Sequence, residues 1–314
     1  MNSGYFEKII GHKKSIDHLI SNMQNNNVSH AYLFSGPTGI GKFAIAKAFA
    51  LNLQNIDNSS SFLDDIHIID ELPLENLNGK NKNTNLDLKI RKTNSISVDD
   101  IHNIIHILNH SSLSNFKIII IRKIERMTRS AQNALLKTLE EPPSGNTIFI
   151  LTTDLLPRLP KTLISRCRLM HLSTVPVGTI INGIQEQGYK TDNLKDLIDV
   201  LPNAPGKIIK LLENPEDLET YLFLWNNIKK LFSSTENIVE RFKFVEQISK
   251  SKKQTEIFID NLYYFFYHHF NVKSKSKENT DKLQHTIFQL QKSKDYIRRN
   301  VNSRLVLENL MLFS

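Results

Sequence analysis

A glycine-rich run of seven residues constrains the fold of this chain more than any other feature. The run follows a short apolar stretch at Ala31–Ser35 and precedes residues 43–53, whose apolar positions have helical spacing. A GxxxxGK pattern between a strand and a helix is typical of a phosphate-binding loop, or P-loop. Its glycines let backbone N–H groups converge on phosphate oxygens, and its lysine supplies a positive charge. The sequence therefore predicts phosphate binding by Gly36, Pro37, Thr38, Gly39, Ile40, Gly41 and Lys42.

The order of apolar patterns predicts an α/β domain followed by helices. Lys117–Ile121 and residues 147–151 are apolar runs expected of strands buried in a parallel sheet. Between them, Thr128 can cap a helix that runs to Glu141 and is stopped by Pro142 and Pro143. Strands that alternate with helices over roughly the first 165 residues predict a parallel sheet covered by helices. Residues 57–97 are polar and predict an irregular excursion, and the spacing is helical from Asp217 onwards.

Composition limits the classes of partner. The chain has 314 residues and a formal net charge of +8, which favours acidic partners such as nucleic acid, although its abundant Asn, Ile and Lys also fit a biased base composition. No apolar run approaches the roughly 20 residues of a membrane span, and residues 1–8 lack the apolar stretch of a signal peptide, so a cytoplasmic protein without membrane contact is expected. Cys167 is the only cysteine, which predicts neither a disulfide framework nor a four-thiolate zinc site.

The residue types around the predicted loop are wrong for ATP hydrolysis. An active P-loop ATPase carries Ser or Thr directly after the lysine to hold Mg²⁺, whereas this chain has Phe43. The strand that should be followed by carboxylates for Mg²⁺ and the attacking water is followed by Arg122 and Lys123. Glu125 lies two residues further on and is a weaker candidate. We therefore predict no metal site and no hydrolytic chemistry of the chain's own.

Four segments resemble the bacterial DNA polymerase III clamp-loader subunits, which are AAA+ ATPases. They are the approach to the P-loop at residues 30–37, the NALLKTLEEPP-containing stretch at 130–143, the Ser165-Arg166-Cys167 motif, and residues 300–308. Since Phe43, Arg122 and Lys123 replace catalytic residue types, the likeness is greatest to the delta-prime subunit. The resemblance implies three domains: a RecA-like AAA+ domain at residues 1–168, a small helical lid at 169–213, and a helical collar for oligomerisation at 214–314.

The same resemblance implies a role in a ring. It predicts delta and gamma/tau subunits as partners, and contact with a sliding clamp and primed DNA through the assembled complex. Arg166 would act in trans as an arginine finger on a neighbouring subunit's ATP, and Thr152 and Thr153 resemble the sensor-1 position. Ile209 stands where motor subunits carry a lid arginine, and the zinc module of many relatives is missing.

Two other functions fit the sequence. One is an ATP-hydrolysing motor of the gamma/tau type with an unusual metal shell. The other is a nucleic-acid-binding module whose P-loop is vestigial. The sequence also leaves open whether ATP is held without hydrolysis, so it predicts no certain cofactor.

Overall fold

The computed structural model describes residues 3–54, 65–69, 95–109, 116–142, 146–190, 194–233, 238–273, 285–286, 288–290, 292–294, 296–297 and 301–313. The chain divides into two compact units. The first unit comprises Met1–Thr191 with Asn203–Lys210, and the second comprises Asp192–Pro202 with Leu211–Ser314. No helix within the described ranges is both long and apolar enough to cross a membrane. The division into three domains at 168 and 213 stays a prediction.

Among its described residues, the first unit has one parallel sheet of five strands. In chain order the strands are β1 (Ala31–Ser35), β2 (Ile66–Ile69), β3 (Lys117–Ile121), β4 (Thr147–Thr153) and β5 (Arg168–His171). Their order across the sheet is β2-β3-β4-β1-β5, and every pairing is parallel. Every residue of β1, β3 and β4 is buried, as expected of central strands with both faces covered. The predicted α/β fold is confirmed.

Helices follow from local signals in the sequence. Those of the first unit are α1 (Lys13–Gln24), α2 (Lys42–Leu53), α3 (Val98–Leu108), α4 (Arg129–Glu140), α5 (Lys161–Ile164) and α6 (Val177–Glu186). Ser97 begins α3 with a capping box, in which its hydroxyl accepts from the Asp100 N–H and the Asp100 carboxylate accepts from the Ser97 N–H. Thr128 caps α4 by accepting from the Ala131 N–H at 3.2 Å. The predicted cap of this helix is therefore present.

The structure corrects the sequence-based expectations in two places. Residues 66–69 form β2 inside the stretch expected to be irregular, and they pair with β3. Residues 168–171 form β5 beyond the point where strand signals seemed to end, and they pair with β1. Both strands have only four residues and lie at the edges of the sheet, so neither needs the long apolar run of a central strand. The rest of the predicted excursion at 57–97 lies largely outside the described residues, namely at 57–64 and 70–94.

The second unit is helical. It contains α7 (Leu194–Val200), α9 (Pro215–Ser233), α10 (Ile238–Ile248), α11 (Lys252–Lys273) and α12 (Ser303–Phe313), while α8 (Pro205–Glu213) begins in the first unit. A buried cluster of large apolar side chains joins α9, α10, α11 and α12; among its members are Leu224, Phe258, Leu262 and Leu307, each 0% exposed. The only tryptophan, Trp225, is 5% exposed.

Candidate P-loop site

The sheet places the P-loop between the ends of two neighbouring strands. The central strand β1 runs directly into Gly36, and its last residue, Ser35, is in register with Thr153 of β4 and His171 of β5. Because all three strands are parallel, the residues that follow β4 and β5 lie beside the loop. The Gly36 N–H donates to the Thr153 carbonyl, with 3.4 Å between N and O. This edge, where the carboxyl ends of the strands meet, is where open α/β sheets bind ligands.

Three glycines of the loop are needed for different reasons. A Cβ atom on Gly36 would lie 2.5 Å from the backbone oxygen of Leu172, which is too close for any side chain. Gly39 and Gly41 have φ angles of 80° and 110°, in the left-handed region that disfavours residues with a Cβ. The backbone conformation and packing of the loop thus require these glycines by themselves.

Lys42 is the first residue of α2 and is buried, with 6% exposure. Its ammonium group donates to the carbonyl oxygens of Gly36 at 2.6 Å and Pro37 at 2.7 Å. It also forms an ion pair with Asp154, with 2.6 Å between Nζ and Oδ1. Burial lowers the pKa of Lys42, and the charges of Asp154 and Glu125 oppose that shift without cancelling it. The predicted phosphate-binding lysine is therefore in contact with a carboxylate.

Asp154 follows the last residue of β4 and contacts the loop with both carboxylate oxygens. While Oδ1 pairs with Lys42, Oδ2 accepts a hydrogen bond of 2.7 Å from the Thr38 hydroxyl. Burial raises the pKa of Asp154, but the Lys42 charge and the hydrogen bonds from Lys42 and Thr38 outweigh it, so the pKa lies below its ordinary value. No local sequence pattern marks this residue as part of the site. Knowledge that β4 lies beside β1 would have placed it at the P-loop.

The positions that hold Mg²⁺ in an ATPase carry an aromatic–cation pair here. The Arg122 guanidinium carbon lies 4.3 Å from the centre of the Phe43 ring, a cation–π contact. Phe43 has no oxygen to bind a metal, and a guanidinium repels one. Lys123 adopts a left-handed conformation with φ of 52°, and its N–H donates to the Thr152 hydroxyl at 3.1 Å. The substitutions seen in the sequence thus face each other in the fold.

Glu125 lies near the loop but its carboxylate contacts β4. Oε2 accepts a hydrogen bond of 2.7 Å from the Thr153 hydroxyl, and Oε1 accepts one of 3.2 Å from the Asp154 N–H. The Thr153 hydroxyl in turn accepts from the Leu155 N–H at 3.1 Å. The two threonines that resemble sensor 1, Thr152 and Thr153, are the last two residues of β4, and both are buried. Their hydroxyls hold the chain segment that follows β3.

Two distant residues brace the same loop. Nε2 of His12 lies 2.9 Å from the Ile40 carbonyl oxygen, and because a carbonyl only accepts, that nitrogen carries the proton. Burial lowers the pKa of His12, the hydrogen bond to Ile40 raises it, and the Lys42 charge lowers it further, with a net decrease that favours the neutral ring. The Gly206 N–H, at the start of α8, donates to the Gly39 carbonyl at 2.9 Å. Neither contact has a local signal in the sequence.

Arg166 lies apart from these groups, in the turn between α5 and β5. Its guanidinium donates to the Thr162 carbonyl oxygen at 2.7 Å and forms an ion pair with Glu140 near the end of α4. Its side chain keeps 33% exposure, so part of it faces solvent. Burial raises the pKa of the neighbouring Cys167 thiol to about 12, which keeps that thiol protonated at neutral pH. Cys167 thus has the properties of a packing residue and not of a nucleophile.

The chain matches the family model described as "DNA polymerase III, delta subunit" over residues 11–176, which is more than half its length. It is similar to the DNA polymerase III subunit gamma of Buchnera aphidicola from Acyrthosiphon pisum, with 29% identity over 272 residues, or 82% of this chain and 72% of the relative. It is 34% identical to the DNA polymerase III subunit delta' of Escherichia coli K12 over 122 residues, or 38% of this chain and 36% of the relative.

A third relative is the DNA polymerase III subunit tau/gamma of Haemophilus influenzae, with 31% identity over 175 residues that span 54% of this chain but 24% of the relative. Among solved structures, a DNA polymerase III gamma subunit-related protein of Thermotoga maritima superposes with a TM-score of 0.55 at 20% identity. The superposition covers 94% of this chain and 97% of the other, and it supports the description of the fold given above. Together with the P-loop geometry, these matches show that the chain belongs to the DNA polymerase III delta-subunit family of bacterial clamp-loader AAA+ proteins.

Proposed function

We propose that this chain is a delta-prime-like clamp-loader subunit that does not hydrolyse ATP itself. The main observation in support is the cation–π pair of Arg122 and Phe43, which occupies the two positions where an ATPase holds Mg²⁺. Glu125 is disfavoured as a substitute metal ligand or base, because its carboxylate oxygens accept from the Thr153 hydroxyl and the Asp154 N–H. Phosphoryl transfer depends on charge neutralisation by the metal, so a P-loop without metal ligands lacks the main source of catalysis.

In this proposal Arg166 acts on the ATP of a neighbouring subunit. A guanidinium suits charge spread over γ-phosphate oxygens, and arginine fingers contribute about 10³–10⁵ to the rate of phosphoryl transfer. The partial exposure of Arg166 supports the role, since a finger must reach another chain. Its ion pair with Glu140 holds the guanidinium close to the end of α4 in the single chain, so Arg166 can reach a partner only if that pair opens or tilts towards it.

The helical unit would provide the collar through which the chain joins delta and gamma/tau subunits. Its α10 and α12 pack together and present large apolar side chains to solvent, namely Val239 (61% exposed), Leu305 (61%) and Leu312 (59%). Where such apolar groups form a contiguous exposed patch, they mark an interaction surface. The net charge of +8 supports contact of the assembled ring with primed DNA, and the sliding clamp would be its protein substrate.

The names of several relatives favour a second candidate function. The Buchnera relative is called gamma and the Haemophilus relative tau/gamma, which favours a motor of the gamma/tau type. A nucleic-acid-binding module with a vestigial P-loop is a third possibility, supported by the charge alone. Such a module would bind DNA without partners, with an affinity that falls steeply as salt is added.

ATP turnover by the purified chain separates the first two functions. Phosphate release is measured with Mg²⁺ and ATP for the wild-type chain and for Lys42→Met, which keeps the aliphatic stem and removes the ammonium group. We expect the two chains to show the same background rate, because the wild-type site already lacks the metal ligands that hydrolysis needs. If the wild-type chain hydrolyses ATP and Lys42→Met abolishes that turnover, the proposal is contradicted and a motor of the gamma/tau type is favoured.

A further inference from the structure

Groups of the protein hold the P-loop of this chain in shape. Lys42 has three N–H donors, and three acceptors surround it: the carbonyls of Gly36 and Pro37 at 2.6 and 2.7 Å, and Asp154 Oδ1 at 2.6 Å. In an occupied P-loop the lysine contacts phosphate oxygens. Here a nucleotide could reach the ammonium group only by displacing one of these acceptors, and Asp154 is the only anionic one among them.

The second carboxylate oxygen of Asp154 also contacts the loop. It accepts from the Thr38 hydroxyl at 2.7 Å, so one carboxylate joins the middle of the loop to its last residue. Lys42 and Asp154 are shielded from water, with 6% and 16% side-chain exposure, so solvent screens their attraction little. A negative charge at this place also repels an incoming phosphate.

The carbonyl groups of Gly39 and Ile40 have protein partners as well. The Gly39 oxygen accepts from the Gly206 N–H at 2.9 Å, and the Ile40 oxygen lies 2.9 Å from Nε2 of His12. These contacts come from α8 and from the residue that precedes α1, so the loop is braced from two sides. The curled backbone therefore does not need a phosphate to keep its shape.

We propose that Asp154 is a built-in anion of the P-loop, which binds Lys42 and Thr38 in place of a nucleotide phosphate. The loop keeps its fold with no nucleotide, and any nucleoside di- or triphosphate must displace this carboxylate to bind. The low pKa of Asp154 keeps the group charged at neutral pH, as the role requires. This inference goes beyond the proposed function, because it concerns occupancy of the site and stands whether or not the chain hydrolyses ATP.

Asp154→Asn tests the proposal, with Asp196→Asn as a matched control. The control removes the same charge from an exposed ion pair with Lys229, 3.7 Å long, in the other unit. Binding of ATP to the full chain is measured by calorimetry in EDTA and again with Mg²⁺. We expect Asp154→Asn to bind ATP about 10- to 100-fold more tightly than the wild type, the range that a hydrogen bond to a charged group contributes. Asp196→Asn should bind as the wild type does.

A second variant keeps the proposal testable if Asp154→Asn does not fold. Thr38→Val keeps the shape of the side chain but removes one of the two hydrogen bonds that hold the carboxylate, so it should raise ATP affinity by a smaller factor. Without nucleotide, Asp154→Asn should also melt at a lower temperature than the wild type, and ATP should restore its stability by mass action. If neither Asp154→Asn nor Thr38→Val binds ATP more tightly than the wild type, Asp154 is not a competitor of phosphate and the proposal fails.

Discussion

Substitution of Gly36 tests whether packing alone preserves the glycine pattern of the loop. A methyl group at this position would lie 2.5 Å from the Leu172 backbone oxygen and 3.4 Å from the Leu172 Cβ. The oxygen cannot move away easily, because the Leu172 N–H is held by the Ser35 carbonyl at 2.8 Å. The clash is therefore between the loop and the backbone of the sheet.

The expected magnitude follows from the kind of clash. Extra atoms forced into a packed site destabilise by about 1–3 kcal/mol. For a unit of about 200 residues, each kcal/mol corresponds to roughly 2–4 °C. Gly36→Ala should therefore lower the melting temperature of the first unit by about 2–12 °C.

Gly178→Ala is the matched control, since a Cβ there meets no atom within 4 Å and Gly178 lies in α6. Alanine is favoured over glycine in helices by about 0.5–1 kcal/mol, so the control should be slightly stabilised. Thermal unfolding of both variants by far-UV circular dichroism makes the comparison without nucleotide. Equal stability of Gly36→Ala and Gly178→Ala would refute the packing explanation and leave phosphate binding as the reason for the glycine.

Two further predictions concern stability. Thr128→Ala removes the cap of α4 and should reduce the free energy of unfolding by about 0.5–2 kcal/mol in urea titrations, and an unchanged midpoint would contradict the cap's importance. The lowered pKa of Asp154 means that its ion pair stabilises the folded chain at pH above the ordinary value of 3.8 and stops doing so as the pH falls through the folded value. The stability difference between wild type and Asp154→Asn should thus be constant from about pH 5 to 7 and shrink below about pH 4; a difference of the same size at about pH 3 would be inconsistent with this linkage.

The sequence predicted the central strands well, because they carry strong local signals. Consecutive isoleucines in β3 and the apolar run of β4 predict burial on both faces, and Thr128 marks the start of α4. The edge strand β2 was missed, since four residues within a polar stretch give no periodicity to detect. Its place in the sheet depends on pairing with β3, which no local pattern reveals.

The site residues could be predicted only where local sequence patterns define them. Lys42, Phe43 and Arg122 could be recognised because their neighbours in the chain define their positions. Asp154 and Gly206 reach the P-loop only through the order of the strands and the path of α8, and both lie more than 100 residues beyond it. The contact between Lys42 and Asp154 is thus a property of the fold that residue types alone do not give.

ATP hydrolysis by the reconstituted clamp loader tests the proposed role of Arg166 most directly. Steady-state ATPase with clamp and primed DNA should be compared for complexes that differ only at this residue, after their full assembly is verified. We expect Arg166→Ala to reduce the stimulated rate and Arg166→Lys to restore it poorly, because a point charge does not match the planar guanidinium. Glu140→Gln, which weakens the ion pair of Arg166 within its own chain, should retain the rate. Unchanged ATPase of the fully assembled Arg166→Ala complex would contradict the account and leave this subunit a scaffold.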